Sequence, residues 1–140
     1  MAIELKIHPL DFEQDVAIGI DLPMMTSVGS NFQLNYMTID QAVANAKNLL
    51  LTNKGERIMQ PDLGCDLRRL VFENITDSLI DGARELIISN FDYWLPYIFI
   101  NELSIDYIED ENRVTIKMVI SLQGNQFDTR SIQLEIQNNA

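Results

Sequence analysis

The sequence predicts an α+β fold, in which a three- to four-stranded antiparallel sheet packs against two amphipathic helices in two layers. Two stretches carry apolar residues at helical spacing, one from Ile39 to Leu50 and one from Leu79 to Phe91. From Ile98 onward the apolar residues alternate with polar ones, as in strands with one buried face. Helices that cover one face of such a sheet give a two-layer domain.

The first part of the chain predicts an arm, a strand and a loop. We expect residues 1–15 to form an extended arm of a single domain that spans residues 1–140. Residues 18–22 alternate in hydrophobicity, which predicts a strand that Pro23 ends. Residues 26–36 are rich in Gly, Ser and Asn and predict a loop.

The boundaries of the helices follow from capping and breaking residues. Thr38 and Gln41 have the spacing of a capping box, so the first helix is expected to begin there and to stop within residues 52–55. The second helix is expected to begin at Asn74 or Thr76. The proline of the sequence WLPY ends it, and turns at EDEN and GNQ separate the three strands that follow.

Composition excludes several classes of function. The chain has 140 residues and a formal net charge of −11, which disfavours binding to nucleic acid or to anionic lipid. No apolar run approaches the roughly 20 residues that cross a bilayer, and no classical signal peptide is visible. Cys65 is the single cysteine, so we expect a reduced, buried thiol in a protein made in a reducing cytoplasm.

Catalysis is the minority hypothesis. His8 is the only histidine, and the sequence has neither a metal-binding motif nor a phosphate-binding loop, so no metal or cofactor is expected. Glu56 with Asp62 or Asp66 could supply the two carboxylates of a glycoside hydrolase. The same is true of many other pairs among twenty-one acidic residues, so this pattern is weak support for an enzyme.

The long connection between the helices is the one mildly basic segment. A connection of more than twenty residues in a small domain is usually functional or has short structure of its own. Glu56 and Arg57 are expected to stabilise this loop as a salt bridge and are candidate contact residues for a partner protein. Internal ion pairing is the simplest interpretation of the segment as a whole. Its charged residues are Lys54, Glu56, Arg57, Asp62, Asp66, Arg68 and Arg69.

The stretch FDYWLPYIF, residues 91–99, is dense in aromatic residues. It predicts either a helix-to-strand corner that closes the end of the sheet or an exposed anchor for a partner, and both interpretations stay open. Trp94, Leu95, Pro96 and Tyr97 are its candidate contact residues.

The last strand is the candidate edge of the sheet. Ile132, Leu134 and Ile136 alternate near the end of the chain. An edge strand exposes unpaired N–H and C=O groups, which a strand of another protein can complete. The alternative is an edge that charges such as Arg130 and Glu135 protect.

The segment NLLLTNKGERIMQPDLGCDLRRLVFEN, residues 48–74, resembles the central signature of the contractile-tail baseplate wedge family, which includes sheath-initiator subunits. The shared pattern is Leu-Thr, a basic-Gly turn, a charged pair, Pro-x-Phe/Leu-Gly and an LF-Glu-like end. It falls on Leu51, Thr52, Lys54, Gly55, Glu56, Arg57, Pro61, Leu63, Gly64, Val71, Phe72 and Glu73. The order of elements agrees over about residues 16–136.

The resemblance implies a structural protein without enzymatic activity in the baseplate of a virion tail or of a related injection system. Its expected partners are the core bundle of other wedge proteins, the tail sheath and the tail tube, with six copies in the baseplate. Such a protein would start sheath assembly by strand pairing. Many members carry Glu-Pro-Arg after the second helix, where this chain has Leu95, Pro96 and Tyr97, preceded by Trp94. Part of the family has been called lysozyme-like, so a peptidoglycan-cleaving hydrolase is the alternative.

Overall fold

A computed structural model describes residues 15–26 and 32–137. The arm expected at residues 1–15 lies almost entirely outside the described residues. Two short 3₁₀ helices, Leu67–Val71 and Glu109–Glu111, add to two α-helices and five strands. In chain order these are β1 (Gly19–Ile20), β2 (Leu34–Asn35), α1 (Thr38–Leu51), α2 (Asp77–Trp94), β3 (Ile98–Ile108), β4 (Arg113–Leu122) and β5 (Asn125–Gln137).

The predicted α+β architecture is confirmed. Strands β3, β4 and β5 form an antiparallel meander in the order β3-β4-β5. Helix α1 packs against β4 and β5, while α2 contacts β3. Alternate residues of β4, such as Ile116, Met118 and Ile120, are almost fully buried beneath the helices. The alternation of apolar and polar residues therefore gives the sheet one apolar face and one polar face, as predicted.

The strand expected at residues 18–22 is shorter than predicted and lies outside the three-stranded sheet. Only Gly19 and Ile20 form β1, which pairs antiparallel with β2 in a separate two-stranded sheet. The segment 26–36, expected to be a loop, thus supplies a strand. The side chain of Asp21 accepts a hydrogen bond from the Leu22 N–H, which turns the chain away before Pro23.

The first helix begins differently from the prediction. Met37 is its N-cap, and Thr38 is already the first helical residue, so the expected capping box is wrong. The Gln41 side chain instead accepts a hydrogen bond from Asn35 Nδ2 at 3.1 Å and donates one to Asn45 Oδ1 at 3.0 Å. Gln41 therefore ties the small sheet to α1 instead of reaching back to the helix start.

The second helix confirms one of the two predicted starts. The Oγ1 of Thr76 caps it by accepting a hydrogen bond from the Leu79 N–H at 3.2 Å. Leu95 is the C-cap and is no longer helical, with φ −129° and ψ 60°, because the following Pro96 disfavours the helical conformation of the residue before it.

Cys65 is buried, as expected, at the centre of the connection between the helices. It is fully inaccessible to solvent, and burial raises the pKa of its thiol to about 12. Its side chain contributes packing to the core that the helices and the sheet share. None of the described helices is long and apolar enough to cross a membrane.

Candidate partner-binding site

The loop at residues 52–66 is held by a set of short-range hydrogen bonds. The Gly55 N–H donates to the Pro61 carbonyl at 2.8 Å and closes the loop across its base. The Lys54 N–H donates to Asp66 Oδ1 at 2.6 Å, and the Cys65 N–H donates to the Thr52 carbonyl at 3.1 Å. These bonds join the two arms of the loop to each other and to the end of α1.

Glu56 and Arg57 stabilise this loop without pairing with each other. The Glu56 carboxylate accepts from Asn53 twice, from the backbone N–H at 3.2 Å and from Nδ2 at 2.9 Å. Arg57 Nη2 donates to Asn48 Oδ1 at 3.1 Å, at the last turn of α1. The predicted Glu56–Arg57 salt bridge is wrong, because each side chain hydrogen-bonds to an asparagine instead.

The broader expectation of internal ion pairing in this segment is also corrected. Within the described residues, Arg69–Glu73 at 3.3 Å is the one salt bridge that involves the segment 54–69. Both partners are exposed, so a pair of this kind stabilises by only a few tenths of a kcal/mol.

The tip of the loop exposes two large apolar side chains. Ile58 is 95 % exposed and Met59 is 88 % exposed. They are the central residues of a turn that the Gln60 N–H closes by donating to the Arg57 carbonyl at 3.2 Å. Turn positions of this kind usually carry Gly, Pro, Asn or Asp, so two apolar residues there are a liability in water unless a partner covers them.

The aromatic stretch at residues 91–99 contains both buried and exposed rings. Phe91 is buried in the core, and Tyr97 packs against the core while its hydroxyl accepts a hydrogen bond from Asn45 Nδ2 at 2.7 Å. Trp94 is half-buried, and its ring makes an edge-to-face contact with Tyr93 at a centroid distance of 4.8 Å. Tyr93 itself is 75 % exposed.

The candidate contact residues therefore differ in how a partner could reach them. Leu95 packs against the core and Tyr97 is half-buried, whereas Pro96 is exposed. Tyr93 was not among the predicted contact residues, although it is more exposed than Trp94 beside it. Its position on the outer face of α2, two residues away from the buried Phe91, could have identified it.

A groove joins the loop to the aromatic end of α2. It measures about 370 Å³ and lies between the loop arms and the last turns of the helix. Its lining combines charged and polar side chains from the loop with apolar and aromatic side chains from the helix. These residues are Lys54, Gln60, Asp62, Leu86, Ser89, Asn90, Tyr93 and Trp94.

The last strand is an edge strand in the described sheet, as predicted. Strand β5 pairs with β4 on one side, and no other described strand pairs with its outer side. The side chains of Ile132 and Ile136 are buried in the core, with Leu134 packed against them. A partner strand would therefore meet the backbone of β5, not these side chains.

The acidic side chains of the described residues bear on the metal-binding and catalytic hypotheses. No group of three or more Cys, His, Asp or Glu side chains within them could hold a metal ion. The Glu56 carboxylate, the strongest catalytic candidate from the sequence, is engaged by the Asn53 amide groups on the loop surface. This arrangement stabilises the turn from Asn53 to Glu56.

Comparison with known proteins identifies relatives of the chain. The sequence model of the family described as baseplate wedge protein gp25 matches residues 39–126. The baseplate wedge protein gp25 of Enterobacteria phage T4 is 27 % identical over 88 residues, which cover 63 % of this chain and 67 % of that protein. The matched region contains α1, the loop, the groove and the aromatic corner.

Solved structures share the fold at lower sequence identity. A protein of Geobacter sulfurreducens described as a putative tail lysozyme has a TM-score of 0.57 at 21 % identity, covering 71 % of this chain and 93 % of its own. A chain of the anti-feeding prophage baseplate has a TM-score of 0.56 at 20 % identity, with coverages of 86 % and 85 %. A chain of a type VI secretion system baseplate complex has a TM-score of 0.55 at 12 % identity, with coverages of 70 % and 93 %.

At these sequence identities, structural similarity shows a common fold and nothing more. The word lysozyme is therefore part of one neighbour's description and is not a property of this chain. The family model matches the sequence itself, covers more than half of the chain and includes the loop signature seen in the sequence. The chain therefore belongs to the baseplate wedge protein gp25 family, whose members are structural components of contractile-tail baseplates.

Proposed function

We propose that this protein is a structural wedge subunit that binds other wedge proteins through the groove between its loop and the end of α2. The observation that carries the proposal is the joining of the loop and the aromatic corner in one surface, with Tyr93 75 % exposed on its rim. Exposed aromatic residues beside a groove are the usual anchors of protein interfaces.

The corner that follows the groove carries apolar and aromatic residues where the family resemblance implies charges. Where many relatives carry Glu-Pro-Arg, this chain keeps Pro96 but has Leu95 and Tyr97 on either side. Leu95 and Tyr97 pack against the core, so they position the corner. Tyr93, the exposed part of Trp94 and the apolar tip at Ile58 would then make the contact.

The sheath partner, the copy number and the place of assembly form part of the same proposal. Strand β5 pairs with an arm of the tail sheath protein and so starts sheath assembly, and six copies surround the tail tube in the baseplate. Assembly takes place in the cytoplasm of the host cell, or on the cytoplasmic side of an injection system. The open edge of β5 supports the strand-pairing step.

The test is capture of wedge proteins by the tagged chain, co-expressed with the tail gene cluster of the same particle. We expect Tyr93→Ala to reduce capture at least tenfold, since removal of an aromatic hot-spot residue from an interface costs about 2 kcal/mol or more. Phe127→Ala is the matched control, because Phe127 is 89 % exposed but does not line the groove. Equal capture by both variants would contradict the proposed site.

The hydrolase alternative makes the opposite prediction. If the chain cleaved peptidoglycan through Glu56, then Glu56→Gln would abolish turnover and leave wedge capture intact. In the structural account, Glu56→Gln weakens the turn by replacing one oxygen that accepts from Asn53. Cleavage of purified cell wall by the wild-type chain, without capture of any wedge protein, would favour the hydrolase.

A further inference from the structure

Strand β5 offers the more regular of the two sheet edges. From Thr129 to Gln137 it runs opposite β4 in unbroken register. Strand β3, at the other edge, has a register shift between Ile100 and Glu102, and bulges of this kind interrupt pairing with a further strand. An added strand therefore finds its longest continuous template on the outer side of β5.

A cavity lies beside the end of this edge. It measures about 390 Å³, more than ten times the ~30 Å³ that one water molecule takes up in the liquid, so it can take a large side chain. Leu51 at the end of α1, Val71 and Phe72 form its apolar wall together with Ile136 of β5. Phe72 is 74 % exposed and Leu51 is 41 % exposed, so the wall lies partly open to water.

The position of the cavity fits the next strand of the sheet. Ile136 pairs with Val114, and both side chains point to the core face. A strand added to β5 would lie about 4.8 Å further out, with every second side chain on that same face. Its inward side chain near Ile136 would therefore enter the space over Leu51 and Phe72.

The mouth of the cavity carries a cation that is free to bind. Arg68 and Glu135 both line the cavity. Glu135 forms an ion pair with Arg113 on the neighbouring strand, in which Glu135 Oε2 lies 3.5 Å from Arg113 Nη1. Arg68 is exposed and makes no salt bridge within residues 15–26 and 32–137. A strand that enters here gains a charge-assisted contact if it carries a carboxylate near its apolar residue.

We propose that the outer edge of β5 receives an extended arm of a partner that places one large apolar side chain over Leu51 and Phe72 and one carboxylate on Arg68. This inference rests on the proposed pairing of β5 with the sheath protein, and it adds the sequence pattern that the arm must have. The arm alternates apolar and polar residues, with an acidic residue beside its anchor. A second copy of this chain is a poor occupant, since two chains of net charge −11 repel each other.

The test measures the affinity of the purified chain for the sheath protein of the same particle. We expect Phe72→Ala and Arg68→Glu each to weaken binding about tenfold, and the salt dependence of binding to decrease in Arg68→Glu. Arg69→Glu is the matched control, because Arg69 is the adjacent exposed arginine but does not line this cavity. Its affinity should stay within about twofold of the wild-type value.

Peptides that cover the terminal arms of the sheath protein identify the occupant. The peptide that binds should contain the alternating pattern, and changing its acidic residue to Lys should restore binding to Arg68→Glu while weakening binding to the wild type. Wild-type affinity in both Phe72→Ala and Arg68→Glu would overturn the inference. So would a dimer of the wild type that Arg68→Glu dissociates.

Wedge capture in the same samples separates this inference from the proposed function. If Phe72→Ala and Arg68→Glu both retain wedge capture and bind the sheath protein as tightly as the wild type, the inference about the cavity is refuted. The proposed function is then unaffected. A wild-type chain that captures neither wedge nor sheath protein refutes the proposed function on which the inference rests.

Discussion

Replacing Gly64 by Ala should destabilise the protein strongly, because two separate costs combine at this position. The residue has a φ of +136°, which residues with a Cβ rarely adopt. A Cβ there would lie 2.5 Å from the Thr52 carbonyl oxygen and 2.8 Å from the Asn53 carbonyl carbon. Both are backbone atoms, so the clash can be relieved only by moving the end of α1 away from the loop.

The magnitude follows from the contacts that such a movement breaks. The left-handed backbone alone costs about 1–2 kcal/mol. The Thr52 carbonyl accepts from the buried Cys65 N–H, and a buried acceptor that loses its donor costs about 1–3 kcal/mol. Gly64→Ala should therefore lower the free energy of unfolding by roughly 2–5 kcal/mol, a large part of the total for a domain of this size.

Gly55→Ala is the matched control within the same loop. Gly55 also has a positive φ, +86°, but a Cβ there would meet nothing within 4 Å. Gly55→Ala should lower the free energy of unfolding only by the backbone contribution of about 1–2 kcal/mol. Urea unfolding followed by circular dichroism measures both variants. Equal loss of stability in the two would refute the argument that the close approach of Gly64 to Thr52 fixes the loop.

Four further predictions concern α2 and the buried thiol. Thr76→Ala removes the cap of α2 and should cost about 1 kcal/mol in the free energy of unfolding, measured in urea; no change would contradict the cap. Gly82→Ala should stabilise the protein by about 1 kcal/mol, because a Cβ at this helical position meets nothing within 4 Å; a lower thermal midpoint would contradict it. Since burial raises the pKa of Cys65 to about 12, the native thiol should resist iodoacetamide at pH 8, and rapid alkylation would contradict its burial. The folded chain keeps that proton where the unfolded chain loses it, so stability is full below about pH 8.5 and should fall as the pH rises toward 12.

The sequence predicted the elements that depend on local pattern. The periods of 3.6 and 2 placed both helices and the three long strands, because a buried face must recur at the spacing of its element. The start of α2 was predicted at Asn74 or Thr76, and the structure has its N-cap at Thr76. The resemblance of residues 48–74 to a known signature led to the family that the comparison then showed.

The remaining features depend on contacts between distant residues, which a single sequence does not contain. Gln41 has the spacing of a capping box, but its side chain is taken by Asn35 and Asn45. The Glu56 carboxylate accepts hydrogen bonds from Asn53 and does not pair with the neighbouring Arg57. The groove that joins the loop to Tyr93 exists only because the connection folds back onto the last turns of α2.

The most direct test of the structural account is electron cryomicroscopy of the assembled tail from the particle that encodes this chain. We predict density for the two helices and the three-stranded sheet in the baseplate, with Tyr93 and the loop at residues 52–66 facing neighbouring wedge subunits. Deletion of the gene should leave tails without baseplates, and wild-type protein supplied in trans should restore them. A complete baseplate that lacks this chain, together with peptidoglycan cleavage by the purified protein, would contradict the account.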